Sequence, residues 1–297
     1  SRGVGDVYKR QICGLGYYEL RINGERIGDR VLDPPWTDYE KLALYTVYDV
    51  TDYIKRGKNA VAVMLGNGRY SPRPEWKIKG IQVKRYEDAE PKLLAEIWVW
   101  LEDGREVVIV TDEEWRVSDG PIVFDDIYDG EVYDARLEAA GFDRPGFDDS
   151  GWKKANVTVQ PCETLRSSTT SPPIRRVRLL PSRKILSPRP GVYVFDFGQN
   201  FSGWVRLRVD GERGREVRLR YAELLSEDGE LNTAPNRAAK STDVYILKGD
   251  GVEEYEPHFT YHGFRYVELT GYPGTPHIDT LTAVSYTHLT LPTNREV

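Results

Sequence analysis

The sequence predicts an all-β fold, and three observations support that prediction: alternating strands, glycine-containing turns between them, and a composition rich in aromatic residues. Apolar and polar side chains alternate over residues 204–209 and again over residues 216–221. A period of two gives each run one apolar and one polar face, which is typical of a half-buried β-strand. Residues 210–214, DGERG, separate the two runs and favour a hairpin between them.

Length and composition indicate a folded chain of about two domains. The protein has 297 residues, of which 39% are hydrophobic and 30% are charged. Its 19 Tyr and 7 Trp, against a single Met, favour strands and sugar-contacting surfaces over helical bundles. The net charge of −6 provides no basic field, so we do not expect nucleic acid as a partner.

Strand and turn signals begin near the start of the chain. Tyr18, Leu20 and Ile22 alternate with other residues and share one strand face. Asn23-Gly24 follows at once, and this dipeptide is a strong hairpin signal because both residues tolerate a positive φ. The first domain is therefore expected to open with a β-hairpin.

Three further elements follow in the first half. Residues 50–55 predict one short helix, which Thr51 caps at its start and Gly57 ends. Residues 93–101 and 105–110 predict two strands that pair across the turn between them.

Composition changes divide the chain into segments. Residues 160–173 read QPCETLRSSTTSPP, and this polar, Pro-rich run is expected to be a linker. The end runs SRGVGDVYKRQ and SYTHLTLPTNREV do not continue the strand pattern, and we interpret them as non-native, although frayed termini would look similar. The predicted segments are a leader at 1–11, a first domain at 12–160, a linker at 161–173, a second domain at 174–284 and a tail at 285–297.

Long motifs occur in one order along the chain. In the second half they are DFGQNFSGW at 196–204, RYAELLSEDGEL at 220–231 and FTYHGFRYVELTGYPG at 259–274. In the first half they are GLGYYELRINGERIGD at 14–29, the run at 33–70 that begins DPPWTDYEKLALYTVYDV, and GEVYDARLEAAGF and PGFDDSGW within 130–152. With these motifs the chain resembles the bacterial α-L-rhamnosidases of glycoside hydrolase family 78 over most of its length.

The resemblance implies an architecture and a parent enzyme. The first domain would be a jelly-roll-like β-sandwich of the carbohydrate-binding-module type, and the second a concanavalin-like β-sandwich. The family's general acid and base lie in a helical (α/α)6 barrel, and no segment here resembles that barrel. The parent would be an inverting enzyme that removes terminal α-L-rhamnose from glycosides with an acid, a base and a water. The implied partners are L-rhamnose-containing glycosides or polysaccharides, and the missing catalytic domain in cis.

The densest group of acids lies in residues 125–134, DDIYDGEVYD. The first interpretation is a structural or solvated loop, since crowded acids in a loop are most often solvent-facing turn residues. A second is a calcium site with Asp125, Asp126 and Asp129 as ligands, since calcium takes 6–8 oxygens in irregular geometry. In that interpretation Tyr128 and Glu131 contact sugar. A third is a catalytic carboxylate pair, which glycosidases need on the two sides of the scissile bond.

A second candidate site is the GNGRY run at residues 66–70. Its two glycines let a ligand approach the backbone, and the Asn67 amide can donate to and accept from hydroxyls. We therefore name Asn67, Tyr70 and the downstream Trp76 as candidate carbohydrate contacts; the plain alternative is a strand-to-loop exit. Some N-terminal domains of the family bind L-rhamnose with the help of calcium, so calcium is a possible cofactor here. The family typically has a Trp where this chain has Arg69.

Two aromatic segments of the second domain are candidates for an interface. Residues 259–266 carry Tyr and Arg, residue types that interfaces favour, and a similar role is expected for residues 196–204. The simpler alternative is that these aromatic residues pack in the core where a strand begins, and that His262 is hydrogen-bonded there. The candidate contacts with the missing catalytic domain are Phe197, Gln199, Asn200, Tyr261, His262 and Arg265.

We therefore predict a non-catalytic N-terminal portion of an α-L-rhamnosidase, with no catalytic residue of its own and no required cofactor. One alternative is a free-standing lectin-like binding protein, and another is a compact glycosidase that uses the acids of residues 125–134, with Asp126 and Glu131 as the positions to test. No run of about 18 apolar residues occurs, so no membrane partner is expected. Cys13 and Cys162 do not report a redox compartment, and localisation stays open between bacterial cytoplasm and secretion.

Overall fold

The computed structural model describes residues 8–71, 77–78, 81–82, 90–101, 104–159 and 162–286. Within these ranges the regular structure consists of β-strands and three short 3-10 helices, at Ala135–Leu137, Ser168–Thr170 and Ala234–Asn236. None of the helical segments in the described ranges is long and apolar enough to cross a membrane. The prediction of an all-β fold is confirmed.

The chain divides into two compact units. One contains the residues up to Asp126 together with Leu137–Pro172, and the other contains Ile127–Arg136 together with the residues from Pro173 onward. The strands before Pro173 are β1 (Tyr8–Leu15), β2 (Tyr17–Ile22), β3 (Glu25–Arg26), β4 (Leu42–Asp49), β5 (Val61–Gly66), β6 (Lys77–Ile78), β7 (Ile81–Gln82), β8 (Lys92–Trp100), β9 (Glu106–Val110), β10 (Arg116–Val117), β11 (Ile122–Asp126), β12 (Gly130–Asp134), β13 (Lys153–Lys154) and β14 (Thr164–Ser167). The later strands are β15 (Arg176–Pro181), β16 (Lys184–Arg189), β17 (Val192–Asp210), β18 (Glu216–Ala222), β19 (Leu224–Leu225), β20 (Leu231–Asn232), β21 (Thr242–Ile246), β22 (Val252–Tyr255), β23 (His262–Thr270) and β24 (Leu281–Tyr286).

In the first unit a five-stranded sheet and a three-stranded sheet share a core. The larger sheet has the order β14-β4-β1-β8-β9 and the smaller one the order β3-β2-β5. Ile12 and Ala95 of the larger sheet pack in one buried cluster with Leu20 and Ile22 of the smaller sheet. This packing gives the strands of both sheets their apolar inner face.

The two local hairpins predicted in the first unit are confirmed. Asn23 and Gly24 adopt φ of 52° and 89°, and they join β2 to β3 in an antiparallel pair. Strands β8 and β9 pair antiparallel with Trp98 opposite Val108. Both contacts join strands that are close in sequence, so turn signals between the strands were enough to predict them.

The second unit is built around one mixed sheet. Its strand order is β12-β21-β18-β23-β17-β24-β15, and β16 and β22 also pair with β17. The 19-residue strand β17 therefore has several partners along its length. The core beneath it is aromatic and aliphatic, with Phe195, Phe201, Leu219, Phe264 and Leu281 all buried.

The predicted hairpin between residues 204–209 and 216–221 is wrong. Both runs are strands, but β23 lies between them and pairs antiparallel with β17 on one side and with β18 on the other. Short-range turn signals cannot reveal a strand that enters from more than 40 residues later in the chain.

The predicted helix at residues 50–55 is also wrong. The segment forms a single turn, in which the Val50 carbonyl accepts from the N–H of Tyr53 at 3.0 Å and of Ile54 at 3.3 Å. Asp49 caps this turn, since its Oδ1 accepts from the Thr51 N–H and hydroxyl. Val50 is buried in the core and so anchors this single turn, and residues 51–55 do not continue it as a helix.

Four predicted boundaries differ from the structure. The expected tail begins inside a strand, because Ser285 and Tyr286 belong to β24 and pair with β15. The rest of the expected leader and tail, residues 1–7 and 287–297, lies outside the described residues. Strand β1 begins at Tyr8, because residues 8–11 of the expected leader pair with β8 and residues 9–11 also pair with β4. The expected linker contains β14, which pairs in parallel with β4 of the first unit. Residues 127–136, expected in the first domain, belong to the second unit, because Val132 and Tyr133 of β12 pair in parallel with β21.

We predict that Phe264→Ala destabilises the second unit strongly. Phe264 is fully buried and its ring centroid lies 4.5 Å from that of Phe201 and 4.9 Å from that of Tyr221, so truncation leaves a cavity. The expected loss in the free energy of unfolding is about 3–5 kcal/mol. Val252→Ala is the control, since Val252 is 56% exposed and should change stability by less than about 0.5 kcal/mol. Urea denaturation measures both; equal losses in the two variants would contradict the packing.

Candidate functional site

The loop after β5 is held by a carboxylate beneath it. The Asn67 N–H donates to Asp125 Oδ2 at 2.8 Å, and the Asn67 amide Nδ2 donates to Asp125 Oδ1 at 2.9 Å and to the Asp125 carbonyl at 3.1 Å. Gly68 has φ of 52°, and a Cβ there would lie 3.1 Å from the Gly16 Cα, so a glycine fits both its conformation and its surroundings. Asn67 and Asp125, predicted for two different sites, therefore form one structural unit.

Tyr70 does not offer its ring to a ligand in this structure. Its ring is fully buried, and it meets Tyr39 edge to face with 5.4 Å between ring centroids. Lys92 Nζ lies 5.3 Å from the centroid of the same ring. Tyr70 therefore anchors the loop through its buried ring. Trp76, the third residue predicted to contact carbohydrate, lies outside the described residues.

The exposed aromatic residue beside this loop is Trp36, which the sequence reasoning missed. Trp36 is 61% exposed, and the Arg69 guanidinium carbon lies 4.8 Å from the centroid of its ring. Arg69 therefore supplies a cation–π contact with Trp36 beside this loop. The sequence does contain a signal for Trp36. It lies in the Pro-rich run DPPWTD, which has no strand alternation, so a large apolar residue there is not expected to be part of a strand's buried face.

The segment that precedes Trp36 is fixed by buried Asp33. Asp33 Oδ2 accepts from the Tyr18 hydroxyl at 2.6 Å and from the Thr46 hydroxyl at 2.7 Å. Arg30 Nη1 forms an ion pair with Asp33 Oδ1 at 3.3 Å. Burial, together with the neighbouring Asp33 charge, raises the pKa of the Tyr18 hydroxyl well above its ordinary value, so this hydroxyl stays a donor. We conclude that Trp36 projects from a rigid base.

The aspartates predicted as calcium ligands do not form a cluster. Asp125 binds Asn67, whereas Asp129 Oδ1 accepts from the Lys240 N–H at 3.1 Å and its Oδ2 lies 3.4 Å from Lys240 Nζ. Asp126 is buried, and Tyr128 is half-buried with its carbonyl bound to the Ser241 N–H. Among the described residues, no group of three or more His, Cys, Asp or Glu side chains is arranged to hold a metal ion. These three residues thus do not fit a calcium site by themselves.

Glu131, predicted to contact sugar, lies in the interior of the second unit with 0% exposure. Its Oε1 accepts from the Tyr255 hydroxyl at 3.0 Å, and its Oε2 accepts from the N–H groups of His258 at 2.9 Å and Phe259 at 3.1 Å. Desolvation by burial raises the pKa of Glu131 to about 7. Both oxygens are engaged inside the protein, so Glu131 neither reaches a sugar nor pairs with a second acid at a surface.

A second buried carboxylate, Asp243, connects Glu131 to His262. Asp243 Oδ1 accepts from the Glu131 N–H at 3.0 Å, and its Oδ2 accepts from the Tyr221 hydroxyl at 2.6 Å. His262 Nε2 lies 3.1 Å from Asp243 Oδ1, and its ring stacks on Tyr221 at 3.9 Å between centroids. His262 is therefore an internal residue and does not lie on the surface predicted for an interface.

The remaining interface candidates lie around a bulge in β17. The register with β23 shifts between Asp196 and Phe201, and Gly198 within the bulge has φ of 78°. Gln199 and Asn200 are exposed there, and Asn200 Nδ2 donates to Glu223 Oε1 at 2.9 Å. The buried Phe197 packs below, so it belongs to the core and is not at the surface.

Arg265 lies opposite this bulge, whereas Tyr261 precedes β23 and contacts Tyr286. Arg265 donates to both oxygens of Asp196 at 2.9 Å, and this bidentate pair lowers the pKa of Asp196 below its ordinary range. Tyr261 is half-buried and meets Tyr286 edge to face with 5.5 Å between centroids. Four of the six candidates therefore lie at a surface: Gln199, Asn200, Tyr261 and Arg265.

Comparison with protein-family models finds two matches in succession. A model described as the alpha-L-rhamnosidase N-terminal domain matches residues 8–178, and a model described as the bacterial alpha-L-rhamnosidase concanavalin-like domain matches residues 186–287. An α-L-rhamnosidase of Streptomyces avermitilis is 44% identical over 268 residues, which cover 90% of this chain and 26% of that protein. An α-L-rhamnosidase of Formosa agariphila is 36% identical and is covered to 29% of its length.

Solved structures give the same picture. The structure of α-L-rhamnosidase from Dictyoglumus thermophilum superposes with a TM-score of 0.87 at 50% identity, covering 94% of this chain and 30% of that one. The Streptomyces avermitilis α-L-rhamnosidase complexed with L-rhamnose superposes with a TM-score of 0.90 at 42% identity, covering 96% of this chain and 27% of that one. This chain thus spans between about a quarter and a third of the length of these relatives.

We predict that Glu131 makes the stability of the second unit depend on pH. Burial lifts its pKa from the ordinary 4.5 to about 7, so the folded state binds the proton more tightly than the unfolded state does. The stability that protonated Glu131 contributes to the folded state is therefore fully present below about pH 4.5 and is lost as pH rises through 7. Glu131→Gln does not titrate, so the stability of the wild type relative to this variant should fall between pH 4.5 and 7.

The measurement is urea denaturation at several pH values. Glu254→Gln serves as the control, because Glu254 is exposed on the neighbouring strand β22 and should leave the pH profile unchanged. A stability difference between wild type and Glu131→Gln that is the same at every pH would refute the prediction.

Proposed function

Because the chain belongs to the bacterial α-L-rhamnosidase family, we propose that it is the non-catalytic N-terminal portion of such an enzyme, which supports a catalytic domain and binds carbohydrate. The single observation that carries this proposal is the succession of two rhamnosidase domain models over a chain that spans about a quarter to a third of its relatives. The parent enzyme would hydrolyse terminal α-L-rhamnose from glycosides, with its acid and base outside this chain.

The surface that supports carbohydrate binding is the Asn67 loop with Trp36 beside it. A pyranose ring presents C–H groups on its faces and hydroxyls at its edge, so it needs an exposed aromatic ring and nearby polar groups. Trp36 supplies the exposed ring, and the loop at 67–69 supplies backbone and side-chain polar groups on a fixed base. A relative from Streptomyces avermitilis is known in complex with L-rhamnose, which makes that sugar the first one to test.

The surface that supports contact with a catalytic domain is the bulge of β17. Gln199 and Asn200 project there without a strand partner in the register with β23, and the Arg265–Asp196 pair holds the edge of the bulge rigid. Interfaces favour such Arg and Tyr residues, which add contact area and directed hydrogen bonds. We assign Gln199, Asn200, Tyr261 and Arg265 to the docking surface.

The geometry gives no support to the compact glycosidase. Glu131, one of the acids in residues 125–134, has both oxygens bound inside the second unit. A general acid or base has to lie within hydrogen-bond reach of the substrate, and a fully enclosed carboxylate does not.

We predict that the chain binds L-rhamnose and that Trp36→Ala weakens this binding about tenfold or more, the equivalent of about 1.4 kcal/mol. Loss of the exposed ring removes the apolar contact with the sugar face. Isothermal titration calorimetry measures the affinity, with Val252→Ala as the control that keeps it, and titration with and without EDTA tests the possible calcium. The same preparation should not hydrolyse an aryl rhamnoside. Absence of binding would contradict the carbohydrate role, and turnover would contradict the non-catalytic one.

We predict that Gln199→Arg weakens docking to a catalytic domain. In a chimaera, this chain would replace its counterpart in the Streptomyces avermitilis relative. The variant adds a cation to a docking surface that already contains Arg265, so the melting temperature of the chimaera should fall relative to the unsubstituted chimaera. Val252→Arg is the matched control, since Val252 is exposed and lies at the start of β22, away from the bulge in the sheet register. Equal melting temperatures of the two variants would place the docking surface elsewhere.

A further inference from the structure

Strand β9 forms an exposed edge of the five-stranded sheet in the first unit. Its sequence is EVVIV, and in the part of the chain that the structure describes it pairs with β8 alone. The four apolar side chains at residues 107–110 are each between 41% and 47% exposed. Edge strands are usually protected by charges, prolines or bulges, and none of these interrupts residues 107–110. Such an edge favours pairing with a further strand.

The direction of each backbone group in β9 follows from the bonds at its two ends. The Thr111 N–H donates to the Ala95 carbonyl at 3.0 Å, and the Arg105 carbonyl accepts from the Leu101 N–H at 2.9 Å. Successive residues of an antiparallel strand direct their backbone groups to opposite sides, so the odd-numbered residues of β9 face β8. The even-numbered residues therefore direct their N–H and carbonyl groups outward.

Two of these outward residues differ in what they already bind. The Val110 carbonyl accepts from Trp115 Nε1 at 3.0 Å, which agrees with its outward direction. Among the described residues, no hydrogen bond engages the outward backbone groups of Val108, the middle residue of β9. Val108 is thus the position at which a further strand can join the sheet.

A second copy of β9 matches this edge in register. Two antiparallel copies related by a two-fold axis at Val108 place this residue opposite the same residue of the second copy. Because the backbone groups of Val108 point outward, each copy can donate its N–H to the carbonyl of the other, as in a hydrogen-bonded pair. The same register places Val107 opposite Ile109, and Glu106 opposite Val110, so no like charges meet within the strand pair.

Apolar side chains continue through such a pair on both faces. On one face Trp98 of β8 lies opposite Val108, so a row of Trp98 and Val108 meets the same row of the second copy. On the other face buried Ile97 lies opposite Ile109, which then meets the second copy's Val107. A different partner would need an exposed apolar strand of its own, whereas a second copy brings one that already fits.

We infer that this chain self-associates through β9, with two copies pairing antiparallel about a two-fold axis at Val108 and joining their five-stranded sheets into one. This contact goes beyond the proposed function, because it needs neither a sugar nor a catalytic domain. Two short strands bury less surface than a standard interface of about 1,600 Å². The dimer should therefore be weak, with a Kd on the order of 100 µM.

Sedimentation velocity of the 297-residue chain between about 10 µM and 1 mM, a range chosen to bracket that Kd, tests the association. We expect a monomer at the low end and mostly dimer at the high end. Val108→Lys places two like charges opposite each other at the axis and should leave a monomer throughout, whereas Val108→Thr keeps the β-branched shape and should still dimerise. Val252→Lys adds the same charge at an exposed position of β22 and should dimerise as the wild type does.

Amide hydrogen exchange identifies the strand that pairs. The Val108 N–H points outward, so it should exchange about threefold more slowly at 1 mM than at 50 µM for a Kd of about 100 µM. The amides of Val107 and Ile109 face β8 and are protected in the monomer, so their exchange should not depend on concentration.

Three results would overturn the inference: a chain that stays monomeric up to about 1 mM, which is well above the expected Kd; a dimer that survives Val108→Lys; or a dimer in which Val108 exchange stays unchanged. The first would leave β9 as an edge for another domain or protein, and the other two would place the contact on another surface. Circular dichroism shows whether Val108→Lys is folded, and exchange in the wild type decides the case if it is not. Each of these results leaves the proposed function standing.

Discussion

Buried carboxylates that have to be hydrogen-bonded organise both units of this protein. In the second unit, Glu131 binds one hydroxyl and two backbone N–H groups, and Asp243 joins the Glu131 backbone to Tyr221 and His262. In the first unit, Asp33 does the same for Tyr18 and Thr46. An unpaired buried carboxylate would be costly, so each of these groups specifies which segments must come together. The strand positions follow from that requirement as much as from the apolar cores.

This requirement also accounts for the acidic run at 125–134, where the contacts of Asp125, Asp129 and Glu131 favour the structural interpretation over a calcium site or a catalytic pair. Crowded acids in sequence suggest a cation or a catalytic pair, but the fold separates them by function. Asp125 supports the Asn67 loop of the first unit, whereas Asp129 and Glu131 accept backbone hydrogen bonds within the second. Carboxylates that accept hydrogen bonds from backbone groups hold segments of the chain together. Sequence spacing alone does not distinguish such structural carboxylates from a set of metal ligands.

The sequence predicted two local hairpins, but other local signals failed, since residues 50–55 form no helix and the turn at 210–214 does not join two paired strands. The Asn23-Gly24 turn and the pairing of β8 with β9 depend on residues within one hairpin, and both are confirmed. The insertion of β23 between β17 and β18 depends on long-range burial, which no turn residue encodes. At the candidate site the loop was found from its glycines. Trp36 was missed because its exposure and its contact with Arg69 arise only when two loops distant in sequence are folded against each other.

The placement of residues 127–136 in the second unit affects how the two units can be separated or exchanged by recombination. Strand β12 belongs to the second unit, but in the sequence it comes before Leu137–Pro172, which belong to the first unit. A single cut in the chain therefore cannot separate the complete second unit from the first. A piece that begins at Pro173 would leave the side of β21 that pairs with β12 open and would remove the acceptor of the Tyr255 hydroxyl. Such an open strand edge invites association with other chains. Recombination between relatives should therefore exchange the two units as one cassette.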